Sequence, residues 1–336
     1  MSKRVESRGT RVEGWNAGPP EAYDSGSRPS TLNPRPHPSP NQRAWQRFRR
    51  NRPARFSAWF LAAVLLLVFI WPLASPHDPN ALSDNQFKPP SVRYWFGTDV
   101  HGRDLFSRVL YGAQISLLVG IVGAGVSLVI GVLWGSIAGY VGGRTDNAMM
   151  RFVDILYSLP SIIFVIVLIT TLEGLLKQWL EAMGSVTLAK FARLIFLFVG
   201  LGAVSWLTMA RIVRGQVLSL RSRQFVDASR ALGAGPLRIL GRHIIPNVFG
   251  VVIVYLTLTV PAIILYESFL SYLGLGIQPP MASWGSLIAE GADQMNPIRI
   301  YWWLIVFPGG VLVSTLLALN FLGDGLRDAW DVRSGN

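Results

Sequence analysis

The run Ile115–Ala138, ISLLVGIVGAGVSLVIGVLWGSIA, holds no charged side chain, and its only members outside the apolar set are glycines and serines. A stretch of about 20 such residues is long enough to cross the hydrocarbon core of a bilayer. Gly131, Gly135 and Gly139 recur at every fourth position from within this run, so they share one helix face and let a second backbone approach closely. Tight packing inside a bundle is the favoured consequence, ahead of a specific dimer motif. Toward the N-terminus, Phe56–Leu73 is a second apolar run with Trp59 and Trp71 near its ends, where amphipathic rings prefer the interface. Eighteen residues at about 1.5 Å each give roughly 27 Å. A cleaved signal peptide is the competing reading, but a basic lead of more than fifty residues is too long for one. Toward the C-terminus come Ile155–Leu172 with Pro160, Leu194–Met209 with Gly200 and Gly202, Val248–Leu270 with Pro261, and Tyr301–Leu322 with Pro308, Gly309 and Gly310. Membrane helices tolerate proline and glycine because neighbouring helices re-satisfy the freed backbone groups. The expected fold is all-α, a polytopic membrane helix bundle of about six transmembrane helices.

Composition agrees. Of 336 residues, 51% are hydrophobic and 15% charged, where soluble domains carry about 25% charged. The formal charge is +12, but the basic residues cluster beside the apolar runs. Anionic lipid headgroups and membrane topology therefore explain them better than nucleic acid does, and no nucleic-acid partner is expected. Residues 1–55 carry 12 Lys/Arg against 4 Asp/Glu, and 211–242 carry seven Arg against one Asp. The segments 74–114, 173–193 and 271–300 are nearly balanced. By the positive-inside rule both termini and the loop 211–247 are expected in the cytoplasm, with 74–114 outside. The expected layout is a disordered basic tail over 1–45, a first span over 56–73, a core over 115–325 and a cytoplasmic tail over 326–336. Residues 173–193, with the amphipathic Leu175–Leu180, look like an insertion between spans, favoured to lie on the bilayer rather than to touch a partner.

Most site chemistry is missing. There is no cysteine, so thiolate metal sites and cysteine nucleophiles are excluded. None of Lys3, Lys88, Lys177 and Lys190 follows a glycine, so no phosphate-binding loop is present. His37, His77, His101 and His243 are scattered; His101, between Asp99 and Asp104, reads as part of a solvated loop. No cofactor or metal is expected. Asp154 and Glu267 are the acidic residues nearest to intramembrane positions, and either could instead sit at the interface or pair with Arg151 or loop backbone. So little buried charge argues that the driving energy comes from another chain.

The loop 226–247 is the most informative cytoplasmic segment. Asp227–Leu232 reads as a short helix ended by Gly233, which favours the left-handed conformation at a helix end. Pro236 suits the first turn of a second short helix running to about Ile245, with Pro246 leading to the next span. Two short helices at about a right angle would form a knob that a cytoplasmic partner could grip; an amphipathic connector lying on the headgroups is the alternative.

This loop resembles the Glu-Ala-Ala signature of ABC importer permeases. The matching positions are Asp227, Ala228, Ser229, Gly233 and His243-Ile244-Ile245-Pro246. Asp replaces the signature's Glu and Ser its second Ala, while glycine and proline keep their spacing. Phe96-Gly97-Thr98-Asp99 with Gly102-Arg103-Asp104 is similar to the motif before the second span of dipeptide, oligopeptide and nickel permeases. Ser271–Gly276, continuing to Ser283-Trp284-Gly285, resembles that subfamily's last outer loop, and Asn320–Asp328 its C-terminal tail. The likeness is to the C-type permease. It implies a type I importer permease fold, no ATPase site in this chain, a second (B-type) permease, two cytoplasmic ATPase subunits and an extracytoplasmic solute-binding protein. It further implies that Asp227, Ala228, Ser229, Gly233, His243, Ile245 and Pro246 form the ATPase-coupling loop. Peptides lead as solute, with nickel, opines or antibiotic peptides as alternatives; a self-contained secondary transporter is the alternative from another class.

Overall fold

The structure is a computed structural model that describes residues 40–74, 78–185 and 192–330. Among them all regular structure is helical, and six segments are long and apolar enough to cross a membrane. The segment 1–39 of the tail expected to be disordered lies outside the described residues, as do 331–336. The last residues of that tail are ordered: α1, Pro40–Arg50, is an arginine-rich amphipathic helix. It leads into α2, Arg52–Ala74, the first candidate span.

Several helices outrun the apolar runs that announced them. Helix α3 spans Leu105–Val141, starting ten residues before Ile115. Asp104 sets its start by accepting from the amide of Ser107 at 2.9 Å, the capping geometry that satisfies an otherwise orphaned donor. Gly142, with φ of 70°, ends it, a left-handed backbone that only glycine adopts freely. The run Ile155–Leu172 is not one span. It is split between α4, Gly143–Ser158, and α5, Ser161–Ala182. Pro160 forces the preceding residue out of the helical region, and Leu159 is accordingly extended at φ −83°, ψ 133°. The spanning helix is then α5, which continues through Leu175–Leu180. That segment is the end of a candidate span rather than a separate piece lying on the bilayer; 186–191 lie outside the described residues.

Helix α6 covers Ala192–Arg221 and passes well beyond Met209. Its extra turns carry arginines whose charge is met inside the bundle. Arg214 grips Asp146 of α4 through Nε at 2.5 Å and through Nη2 at 2.7 Å. Arg221 donates to the carbonyls of Gly139 and Tyr140 at the end of α3. After α6 come α7, Gln224–Ala231, and α8, Pro236–Ile239. A π-helical turn over Leu240–Ile244 then runs into α9, Ile245–Tyr272. A short α10, Trp284–Asp293, precedes the last span, α11, Trp303–Trp330.

Helix α3 is the centre of the packing. Its row of glycines lies against α6 so closely that a β-carbon on Gly131 would stand 2.6 Å from the Cβ of Met209, and one on Gly139 would stand 2.9 Å from the carbonyl oxygen of Arg214. At Gly135 the added carbon would collide with the carbonyl oxygen of Ala210. Farther up, Gly120 and Gly123 admit Ile264 and Ile263 of α9. Apolar residues gain little by leaving lipid, so dispersion across such close backbone contacts is a principal force holding membrane helices together. The opposite side of α3 exposes Ile121, Val129, Leu133 and Ile137, a row suited to hydrocarbon.

Gly135→Leu is expected to break this seam. Overpacking a rigid contact costs about 1–3 kcal/mol and at times more, and the thermal midpoint of the detergent-solubilised chain should fall by several degrees. Gly125→Leu, at a position with open space around it, should leave the midpoint near that of the parent.

Candidate coupling and translocation sites

The segment 223–247 begins with α7 and turns at Gly233. The amides of Gly233 and Ala234 donate to the carbonyls of Arg230 and Ser229 at 2.9 and 3.0 Å. Gly233 has φ of 81°, and nothing lies within 4 Å of where its β-carbon would be. Glycine is therefore needed for its backbone and not for space. Of the residues singled out in the sequence, Asp227 is exposed and pairs with Arg230 at 3.1 Å. Ala228 lies on α7, and Ser229 turns its hydroxyl back to the carbonyl of Phe225. His243 lies in the π turn, Ile245 opens α9, and Pro246 follows it in the first turn. The second short helix is thus not separate: α8 and the π turn continue into α9 as one candidate span, Pro236–Tyr272.

The inner face of this segment is well anchored. Val226, Ile239, Ile244 and Val248 are buried with Met209, Val213 and Val217 of α6. The outer face is not covered: Leu232 and Leu237, flanking the turn, are 89% and 85% exposed. Two bare leucines are thus held on a braced turn among arginines.

A second polar centre lies at the other end of α3. Asp99 takes hydrogen bonds through Oδ1 from the amides of His101 and Arg103. Its Oδ2 meets Arg103 Nε and Arg108 Nη1, both at 2.7 Å. Arg108, only 2% exposed, also reaches both oxygens of Glu290 on α10, at 2.6 and 3.0 Å. The Phe-Gly-Thr-Asp turn supports this centre: Gly97 has φ of 80°, and Trp303 Nε1 donates to the Thr98 carbonyl. His101 belongs to this turn, its amide donating to Asp99. Sequence reasoning passed over Arg108 and Glu290. An arginine in the first turn of an apolar helix was the available signal, but its partner is 182 positions away.

The two acidic candidates take different positions. Glu267 on α9 is fully buried. It accepts from Ser271 at 2.6 Å and from Ser116 of α3 at 3.3 Å. Ser116 in turn accepts the amide of Trp284, and Ser283 donates to Ser271, so this carboxyl group joins α3, α9 and α10 through hydroxyls. Asp154 is exposed and pairs with Arg211 at 2.6 Å, not with Arg151. Arg211 also covers the ring of Tyr157 at 3.9 Å, and Tyr157 shares a hydrogen bond with Thr208.

Beside that pair opens a cavity of about 350 Å³ between the α4–α5 break, α6 and α9. Its lining includes Tyr157, Thr208, Tyr255, Thr259 and Tyr266, and no acidic or basic residue.

Residues 131–334 match the family described as the binding-protein-dependent transport system inner membrane component. Residues 39–90 match the N-terminal TM domain of oligopeptide transport permease C. The oligopeptide transport system permease protein OppC of Haemophilus influenzae is 46% identical over 294 residues, 86% of this chain and 88% of that protein. The dipeptide transport system permease protein DppC of Bacillus subtilis is 42% identical over 298 residues, 88% of this chain and 87% of its own length. A solved structure titled "Inward facing conformations of the MetNI methionine ABC transporter" aligns at a TM-score of 0.47 and 21% identity, covering 67% of this chain and 97% of that one.

Removing one partner of a buried charge network leaves the others uncompensated, at about 3–5 kcal/mol. Arg108→Met should therefore lower the thermal midpoint sharply and open the 78–104 segment to protease. Glu290→Gln, which leaves the Asp99 pairs in place, should do far less in the same two measurements.

Proposed function

Because the chain belongs to the binding-protein-dependent transport system inner membrane component family of ABC importer permeases, we propose that it forms half of a peptide translocation pathway driven by separate ATPase subunits. It is a multi-pass membrane protein and a transport subunit, and partners of the ATPase and binding-protein kinds go with the family. The finer assembly proposed is this chain, a B-type permease, two cytoplasmic ATPases and an extracytoplasmic solute-binding protein. The ATPase site lies in those other chains, and both termini face the cytoplasm. Peptides are favoured over nickel or opines by relatives at 42–46% identity that are named oligopeptide and dipeptide permeases.

One observation carries the reading: the exposed Leu232 and Leu237 on a turn whose inner face is welded to α6. Burying two leucines on a partner is worth about 1.5–3 kcal/mol each, and the turn that presents them does not need to be ordered on docking. Asp227, Ala228, Ser229 and Gly233 shape this turn, while His243, Ile245 and Pro246 join it to α9. Movement of an ATPase against it would be delivered to a spanning helix without an intervening loop. Alternating access then follows as a tilt of α6 and α9 against the partner permease.

The test is the reconstituted complex. Leu232→Asp combined with Leu237→Asp should abolish the ATPase stimulation caused by loaded binding protein, while the chain still inserts. Gly233→Val should act in the same direction, since a β-branched residue at φ of 81° is strongly disfavoured. Full stimulation in the double variant, or a tag at Ala234 reached from outside the cell, would overturn the docking role.

A further inference from the structure

We propose that the cavity between α4, α6 and α9 is the wall along which the peptide moves, and that its freedom from fixed charge lets acidic, basic and neutral peptides pass alike. This rests on the reading of the chain as a peptide permease.

The chemistry of the lining carries the inference. Tyr255, Thr259 and Tyr266 fall on one face of α9, at spacings of four and seven residues, opposite Tyr157 and Thr208. The exposed row of α3 is aliphatic, Ile121, Val129, Leu133 and Ile137. A lining with seven hydroxyl groups, those of Ser161 and Ser205 included, does not belong in hydrocarbon, because an unmatched hydroxyl there is costly. Thr259 satisfies its own donor on the Tyr255 carbonyl at 2.7 Å. The phenol groups of Tyr255 and Tyr266 have no hydrogen-bond partner among the described residues. They are free to meet the amide N–H and C=O groups that every peptide carries, whatever its side chains.

Charge is kept out of the same surface. Asp154 and Arg211, which meet the cavity at Tyr157, pair with one another at 2.6 Å. Arg211 is further occupied by the face of Tyr157. A lone Asp or Lys in the wall would hold a peptide of opposite charge and repel one of like charge. The volume, about 350 Å³, lies in the range that holds a small ligand. A second permease would close the remaining side.

The experiment uses the whole complex in lipid vesicles with one binding protein and three labelled tripeptides: Ala-Ala-Ala, Ala-Glu-Ala and Ala-Lys-Ala. Thr259→Asp should lower uptake of the Glu peptide relative to the Lys peptide by about tenfold, and Thr259→Lys should invert the preference. Equal loss for all three peptides, or no change for any, overturns the proposal. Should neither variant assemble, the absence of native cysteine in this chain allows Thr259→Cys to be probed instead. A charged, membrane-impermeant thiol reagent should label it from the aqueous phase during turnover, and excess peptide should protect it. Val129→Cys should stay unlabelled. Failure to label Thr259→Cys, or labelling indifferent to peptide, overturns the proposal as well. If the parent complex moves none of the three peptides but does move another solute, the peptide reading itself fails, and the inference goes with it.

Discussion

The molecule depends on one close contact, the seam where α3 lays Gly131, Gly135 and Gly139 against the backbone of α6. In water, such helices would be driven together by their apolar surface; in lipid that drive is nearly absent, and contact distance takes its place. Backbone approach at this seam brings the ends of α6 and α3 together, so that Arg221 can reach the last carbonyls of α3. It also sets α6 where Arg214 can reach Asp146 and Arg211 can reach Asp154. The turn at Gly233 inherits its stability from the same arrangement, because Val213 and Val217, one helical turn apart on α6, are the floor on which Ile239 and Ile244 rest.

Much of the helix count was legible, since an uncharged run of the required length has few other readings. Helix extents were not. Arg211 and Arg214 lie just past the run Leu194–Met209, and Arg108 lies seven residues before Ile115, so all three fall outside the apolar runs. In the folded chain each is neutralised by a carboxylate from a different element, and the helix continues. Asp146 is 68 positions from Arg214, and Glu290 is 182 from Arg108. No local pattern carries that information. Pro160 shows the opposite failure: tolerance of proline in membrane helices suggested an unbroken span, while the restriction on the residue before it won.

The site was partly legible for a related reason. Gly233 is required by the backbone of a four-residue turn, which is a local property, and local properties can be read from sequence. The separate second helix expected after Pro236 depended on Pro246 acting as a breaker. The chain instead runs on through a π turn into α9, and Pro246 does not end the helix. Glu267 stood out as an acidic residue in an apolar run, the usual mark of a transported ion's path. Its four surrounding serines lie on three elements and seal it from solvent. The cavity lining was invisible, because tyrosine and threonine in an apolar run announce nothing until helices align them.

Helix α9 ties these parts together. It begins beside the turn at Gly233, carries Tyr255, Thr259 and Tyr266 along the cavity, and ends near the serine-bound Glu267 and the α10 contact. Pro261 sits inside it, between Thr259 and Ala262 of the cavity wall. A proline there removes the hydrogen bond that would otherwise join its amide to Thr257, and membrane helices bend where that bond is absent. The far end is pinned by Glu267 to α3 and α10, and the near end is continuous with the proposed docking surface. On the proposed reading, displacement applied at Leu237 therefore enters α9 at its near end, is held at the far end, and is relieved at the level of Pro261. The wall that meets the peptide is the part of the helix free to move.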